Sequence, residues 1–179
     1  NLRGEVSNWR EAEEAARPPG ERNRPDAPVR IGRAGNAAVA RVAALDRYAG
    51  HFATARALRR RIVVVTGPTN SGKSHLALDR LSKAESGLAL APLRLLAHEF
   101  REALASRGVA ASLSTGEERI VVPGSRHLAA TVEMCPLHLP VDVAIVDEAQ
   151  LLEDRDRGAA WTAAIMGVPA REVFVLGAP

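Results

Sequence analysis

Residues 62–82 read IVVVTGPTNSGKSHLALDRLS, and no other stretch limits the fold of this chain so sharply. A run of β-branched residues favours an extended strand. It enters a turn holding Gly67, Pro68 and Gly72, and an amphipathic stretch opens at Lys73-Ser74. The octet Gly67-Pro68-Thr69-Asn70-Ser71-Gly72-Lys73-Ser74 fits G-x-x-x-x-G-K-[ST]. Glycines let backbone N–H groups converge on an anion, and the helix that follows adds its positive N-terminal end. All eight residues are therefore candidates to hold the phosphates of a nucleotide, with Lys73 reaching the β- and γ-phosphates and Ser74 ligating Mg²⁺. The plainer reading, a glycine turn that merely starts a helix, is disfavoured by the strand before it and the helix after it. Only Lys73 and Lys83 are lysine among 24 basic residues. A compact ammonium inside the turn suits a phosphate gripped from one side.

From this point the chain alternates between strand and helix patterns, which predicts a parallel sheet with crossover helices, an α/β fold. Strands are expected at Arg61–Thr66, Gly87–Ala91, Val109–Ser114, Leu128–Val132, Val141–Val146 and Arg171–Leu176. Helices are expected from Gly72 to Ser82, Leu93 to Ser106 and Asp156 to Met166. Leu93, Leu96, Phe100 and Leu104 would share one apolar face, and Gly108 would end that helix. Upstream, residues 1–16 suggest a short helix. Residues 17–33, with four prolines, suggest an irregular linker, and Asn36–Arg60 an Ala/Arg-rich helical stretch broken near Gly50. The expected organisation is a helical and partly irregular extension over 1–54 and a nucleotide-binding domain over 55–179.

Hydrophobic residues make up 46% of the 179, enough for a core. No run approaches the roughly 18 apolar residues of a membrane span, so no membrane partner is expected. The single cysteine, Cys135, can form no internal disulfide and is expected to be a small buried residue in a reducing compartment. The chain begins at Asn1 rather than methionine, which suggests a piece of a longer protein. The first 46 residues carry seven acids, unlike an organellar transit peptide. Residues 1–61 hold 13 arginines against 7 acids, whereas residues 62–179 hold 11 basic and 14 acidic groups. A basic arm of this kind is suited to nucleic acid, although charge alone favours a solvated extension. With three Phe and one Tyr, a base-stacking platform is poorly supported, so any nucleic acid is expected to be held by its backbone.

The second chemical element is Val143-Ala-Ile-Val-Asp147-Glu148-Ala149-Gln150. An apolar strand would deliver two adjacent carboxylates to its C-terminal end, where such sheets bind ligands. Neighbouring residues point in different directions, so the two acids can take different roles. Asp147 would hold Mg²⁺, mostly through water, and Glu148 would take a proton from an attacking water. The plain alternative is a solvated turn. The five histidines show no metal-ligand spacing, and His98 reads as structural.

Asp147-Glu148-Ala149-Gln150 resembles the D-E-x-x box of superfamily 2 helicases and translocases. Ala91-Pro-Leu-Arg-Leu-Leu-Ala-His-Glu99, Thr115-Gly-Glu-Glu-Arg119 and Thr131-Val-Glu-Met134 resemble three segments that touch the nucleic-acid backbone in those enzymes. The wording is most similar to the mitochondrial degradosome RNA helicase family and its bacterial relatives, over about residues 55 to 179. The resemblance implies the first RecA-like lobe of an ATP-dependent RNA helicase, using ATP and Mg²⁺. It implies Glu148, Lys73 and Gln150 as catalytic residues and Pro92, Arg94, Thr115, Gly116 and Thr131 as contacts to single-stranded RNA, with DNA as the alternative. A second RecA-like lobe of the same protein would complete the ATP site with its arginines, so the present residues are expected to bind ATP–Mg²⁺ weakly and turn it over slowly or not at all. Gly177-Ala178-Pro179 departs from the family, which often has an acid between Gly and Pro in this segment that links hydrolysis to movement. The Ala/Arg-rich composition suggests bacterial cytoplasm, with the mitochondrial matrix as alternative. Other readings stay open. Arg94 is equally an ordinary helix arginine, and Thr115 and Thr131 ordinary strand-end threonines. The same phosphate loop resembles that of tRNA prenyl transferases and nucleoside kinases, which lack the D-E-x-Q box. A non-catalytic nucleotide- or RNA-binding module is the third possibility.

Overall fold

The computed structural model describes Tyr48, residues 50–68 and residues 70–178. All described residues lie in one compact unit, Ala43–Pro179. The readings for residues 1–16, 17–33 and 36–47, and the phosphate-loop position Thr69, lie outside the described residues.

Seven strands form one sheet: β1 (Arg61–Thr66), β2 (Gly87–Ala91), β3 (Ala111–Ser114), β4 (Arg119–Ile120), β5 (His127–Thr131), β6 (Val141–Val146) and β7 (Ala170–Gly177). Their order is β1-β7-β6-β2-β5-β3-β4. Every pairing is parallel except the short β3–β4 pair. This is the expected α/β architecture, a mostly parallel sheet flanked by helices. A parallel arrangement puts the C-terminal ends of β1, β7, β6, β2, β5 and β3 along one edge. That edge carries, in order, the phosphate loop, Ala178, Asp147, Pro92, Thr131 and Thr115.

Both faces of the central strands are covered, which is why β2 and the last four residues of β6 are buried throughout. Helices α2 (Lys73–Ser82) and α3 (Arg94–Ala105) cover one face, joining Leu78, Leu81, Phe100 and Leu104 to Ile145, Phe174 and Leu176. On the other face, α4 (Gly158–Gly167) packs Trp161 and Ala164 on Leu90, Ala144, Val146 and Val173. A short helix α1 (Ala53–Ala57) precedes the sheet, and the Phe52 ring lies where a Cβ on Gly167 would sit. Arg60 Nη1 donates to the carbonyls of Ile165 and Val168 at 3.0 and 3.1 Å, satisfying groups at the C-terminus of α4.

β4 is not among the expected strands, β3 starts two residues later than expected and β5 one residue earlier, and two further differences concern the helices. Leu93 is not a core residue: it is the extended residue before α3 and is 55% exposed. The buried stripe is Ala97, Phe100 and Leu104, with Leu96 half-buried. Helix α4 begins at Gly158 rather than Asp156 because residues 155–157 form a turn, in which Asp154 Oδ1 accepts the N–H groups of Asp156 and Arg157 at 2.9 and 2.8 Å. Gly158 is required at that entry, since a Cβ there would run into the carbonyl oxygen of Leu152. Gly158→Ala should therefore cost about 1–3 kcal/mol, read as a lower urea midpoint with an unchanged m-value.

Candidate active site

The phosphate loop leaves β1 through Gly67, whose N–H donates to the Gly177 carbonyl at 3.3 Å, so the loop is tied to the end of β7. The turn needs two left-handed residues, Asn70 (φ 61°) and Gly72 (φ 85°). Glycine takes that conformation without strain, and asparagine tolerates it better than most. The Ser71 N–H donates to the Pro68 carbonyl at 3.3 Å, and Gly72 is the N-cap of α2. Lys73 folds back over the turn, donating from Nζ to the carbonyls of Gly67 (2.6 Å) and Pro68 (2.7 Å), with Ser71 Oγ at 3.5 Å. Ser74 lies in the first turn of α2.

Strand β6 brings Asp147 to the same edge. Its backbone N–H donates to the Leu90 carbonyl at 3.0 Å and its side chain is buried. Burial raises its carboxyl above the ordinary carboxylate range and the neighbouring Glu148 charge adds to this, against the Glu148 N–H and the Lys73 charge. The carboxylate thus costs folding stability, a cost absent below the ordinary carboxylate range and growing as pH rises through the raised value. Asp147→Asn keeps an oxygen to accept the Glu148 N–H, held at 2.9 Å. In the absence of divalent cations this variant should melt at or above the parent temperature at neutral pH, and it should gain less from added Mg²⁺ and ATP; paired thermal melts check both.

The backbone conformation of Glu148 is not visible in the residue pattern of this strand end. Glu148 sits at φ 51°, a left-handed conformation rare for a side chain of this size. Strain of this kind concentrates at functional positions and must be held by the surroundings. Here the Asp147–Glu148 peptide is fixed from both sides. Its N–H is bonded to Asp147 Oδ1, and its carbonyl accepts from the buried Trp161 Nε1 at 2.9 Å. Beyond it, the Glu148 carbonyl accepts the Leu151 N–H at 3.0 Å, opening a 3₁₀ turn over Ala149–Glu153.

Gln150 joins two segments. Its Nε2 donates to Glu148 Oε2, and its Oε1 accepts the Ala178 N–H at 3.1 Å. The contact to the Gly177-Ala178 segment is thus made by a backbone amide. The alanine that stands where the family often has an acid leaves that link between the two segments intact.

Asn70, Ser71, Gly72, Lys73, Ser74, Asp147 and Glu148 line one cavity of about 510 Å³, which Glu99 and Phe100 of α3 also border. The structure therefore brings the described phosphate-loop positions from Asn70 onward and both acids together, with Gln150 behind Glu148. Glu99 was not singled out in the sequence, and only its place in the A-P-L-R-L-L-A-H-E segment hinted at it.

The nucleic-acid candidates lie further along the same edge. Pro92 is buried, and Arg94 is exposed and paired with Glu117 at 2.5 Å. The Thr115 hydroxyl closes its own turn, accepting the Glu118 N–H at 3.0 Å, while Gly116 is exposed. Thr131 is buried at the end of β5. His98 pairs with Glu118 at 2.9 Å and holds the 115–118 turn on α3, a structural role. Cys135 is half-buried and packs on the α4 face, and burial pushes its thiol up to about 12, which leaves it inert as a nucleophile. Among the described residues, no cluster of His, Cys, Asp and Glu is of the size that holds a metal by itself, and no helix is long and apolar enough to cross a membrane.

The family model for the DEXQ-box helicase domain of Suv3 matches residues 49–179. The chain belongs to this family. The D-E-x-Q of the family's description is Asp147-Glu148-Ala149-Gln150 here, and the Q is the side chain that bridges Glu148 to Ala178. The ATP-dependent RNA helicase SUV3L, mitochondrial, of Oryza sativa subsp. japonica is 48% identical over 140 residues, covering 77% of this chain and 19% of that protein. The ATP-dependent RNA helicase SUPV3L1, mitochondrial, of Danio rerio is 47% identical over 133 residues, covering 72% and 17%. Its human counterpart is 45% identical over 132 residues, also covering 72% and 17%. The chain spans under a fifth of the length of these curated relatives.

Proposed function

We propose that this chain is the ATP-binding first lobe of an ATP-dependent RNA helicase of the Suv3 kind, coupling ATP hydrolysis to movement along or opening of RNA. One observation carries the reading. A single sheet edge carries the phosphate loop, Ala178 and Asp147 at the ends of β1, β7 and β6, beside Pro92, Thr131 and Thr115 at the ends of β2, β5 and β3. A small-molecule kinase or prenyl transferase uses the first half but has no need of the second. A non-catalytic module has no need of a strained Glu148 held beside the phosphate loop.

Lys73 would exchange the neutral carbonyls of Gly67 and Pro68 for the β- and γ-phosphate oxygens, a stronger set of acceptors. The Ser74 hydroxyl and the Asp147 carboxylate border the same cavity, and the buried Asp147 charge fits a divalent cation. These two residues would hold Mg²⁺, which when bound neutralises charge on the phosphates. Glu148 would accept the proton of the attacking water, with Gln150 orienting its carboxylate and relating it to the Ala178 amide. Pro92, Arg94, Thr115, Gly116 and Thr131 would follow the RNA backbone, which implies weak sequence preference. A second RecA-like lobe of the full-length protein would supply arginines to the opposite side of the phosphates. The relatives' names, which carry the word mitochondrial, favour the mitochondrion over bacterial cytoplasm as the compartment.

Strand displacement by the full-length protein tests this. A labelled RNA duplex with a single-stranded overhang should be opened only with ATP and Mg²⁺, and Arg94→Ala should slow opening with little dependence on overhang sequence. Turnover raised instead by a small hydroxyl or amine acceptor, with no duplex opened, would favour the transferase.

A further inference from the structure

The two halves of the sheet edge meet between β6 and β2, and one side chain spans the junction. Arg157 precedes α4, its backbone fixed by Asp154. Its guanidinium donates from Nε and Nη2 to Glu133 Oε1 at 2.9 and 2.7 Å, and from Nη2 to the Pro92 carbonyl at 2.5 Å. It also lies over the ring of Trp161, 5.1 Å from the centroid. Trp161 is fully buried and donates its indole N–H to the Asp147 carbonyl, the same peptide that holds Glu148 in its strained conformation.

Each contact has a direction. Glu133 belongs to the 3₁₀ turn over Val132–Met134, directly after Thr131. Pro92 directly precedes Leu93 and Arg94. A fork of planar donors can grip both segments at once while its face stacks on an indole, a combination that lysine cannot reproduce. Any displacement of the 92–94 or 131–134 segments changes the position of the guanidinium. The guanidinium lies on the ring whose N–H fixes the carbonyl one bond from Glu148. Packed side chains of this kind transmit small shifts because the interior does not deform freely.

We propose that Arg157 is a positioning residue that couples the nucleic-acid half of the edge to the Asp147–Glu148 peptide through Trp161, and so sets how strongly RNA stimulates ATP hydrolysis. This rests on the helicase reading above. It assigns Arg157 no contact with ATP or RNA. Its action lies in holding the two contact segments and the catalytic peptide in one register.

The test uses the full-length protein and single-stranded oligouridylate, with kcat and KM for ATP measured with and without RNA. Arg157→Ala should lower the ratio of RNA-stimulated to RNA-free kcat about tenfold, with KM for ATP within about twofold of the parent. Arg157→Lys should restore only part of the ratio. Glu133→Gln, which weakens the grip at an exposed side chain, should lower the ratio in the same direction and serves as the deciding variant if Arg157→Ala fails to fold. Equal losses of stimulated and RNA-free turnover, or an unchanged ratio in a folded variant, would overturn the coupling while leaving the helicase reading in place. A parent protein that RNA does not stimulate would overturn both.

Discussion

Glu148→Gln is expected to lower the kcat for ATP in the full-length protein by about 100- to 10,000-fold, the range for loss of a general base. The substitution removes the basic oxygen and little else. Gln at 148 retains an oxygen to accept from Gln150, and the peptide remains held by Asp147 and Trp161. KM for ATP should therefore stay close to that of the parent, and binding of a non-hydrolysable ATP analogue should be retained. Steady-state turnover beside a binding titration checks the split. A fall in affinity matching the fall in rate would place Glu148 in nucleotide binding instead.

Lys73→Ala carries the second large effect, and it should be the reverse. The ammonium is the charged donor of the loop, and its partners in the structure are the Gly67 and Pro68 carbonyls and Ser71 Oγ. A hydrogen bond to a charged group contributes about 1.5–3 kcal/mol, so affinity for ATP should fall by about tenfold to more than a hundredfold. The Lys73–Pro68 contact lies at the exposed surface, and water can replace a donor there. Stability should change by less than about 1 kcal/mol. Lys73→Arg should not rescue, because a planar fork cannot replace a compact point charge gripped from one side. Titration with a fluorescent ATP analogue and a thermal melt separate the binding effect from any folding effect.

The parts of this fold that were legible in the sequence are those governed by local pattern. The run at Arg61–Thr66 forms an edge strand with Ile62 and Val64 exposed, legible from its β-branched residues alone, whereas Val141–Val146 is legible because its last four residues are buried and leave no polar alternation to misread. The phosphate loop is legible because glycine spacing and a helix start leave little else for it to be. β4 is two residues long and owes its existence to pairing with Leu113 and Ser114, so no periodicity announces it. Leu93 matches the apolar face of α3 by spacing, yet falls outside the helix, where the chain is still extended after Pro92. In the site, the residue types were legible and the supporting contacts were not. Nothing in Asp147-Glu148 says that Glu148 is left-handed, because the groups that impose this, Trp161 above all, come from α4. Likewise Gln150 reads as a box position, whereas its bridge to Ala178 spans 28 residues.

A sheet edge that binds ATP on one half and answers to RNA on the other makes the ATP turnover of the full-length protein depend on RNA. ATP turnover by the full-length protein, with and without single-stranded RNA and with Glu148→Gln as control, tests it most directly. Turnover should be raised severalfold or more by RNA and abolished by the substitution. Turnover indifferent to RNA, or equally fast in the Glu148→Gln protein, would contradict it.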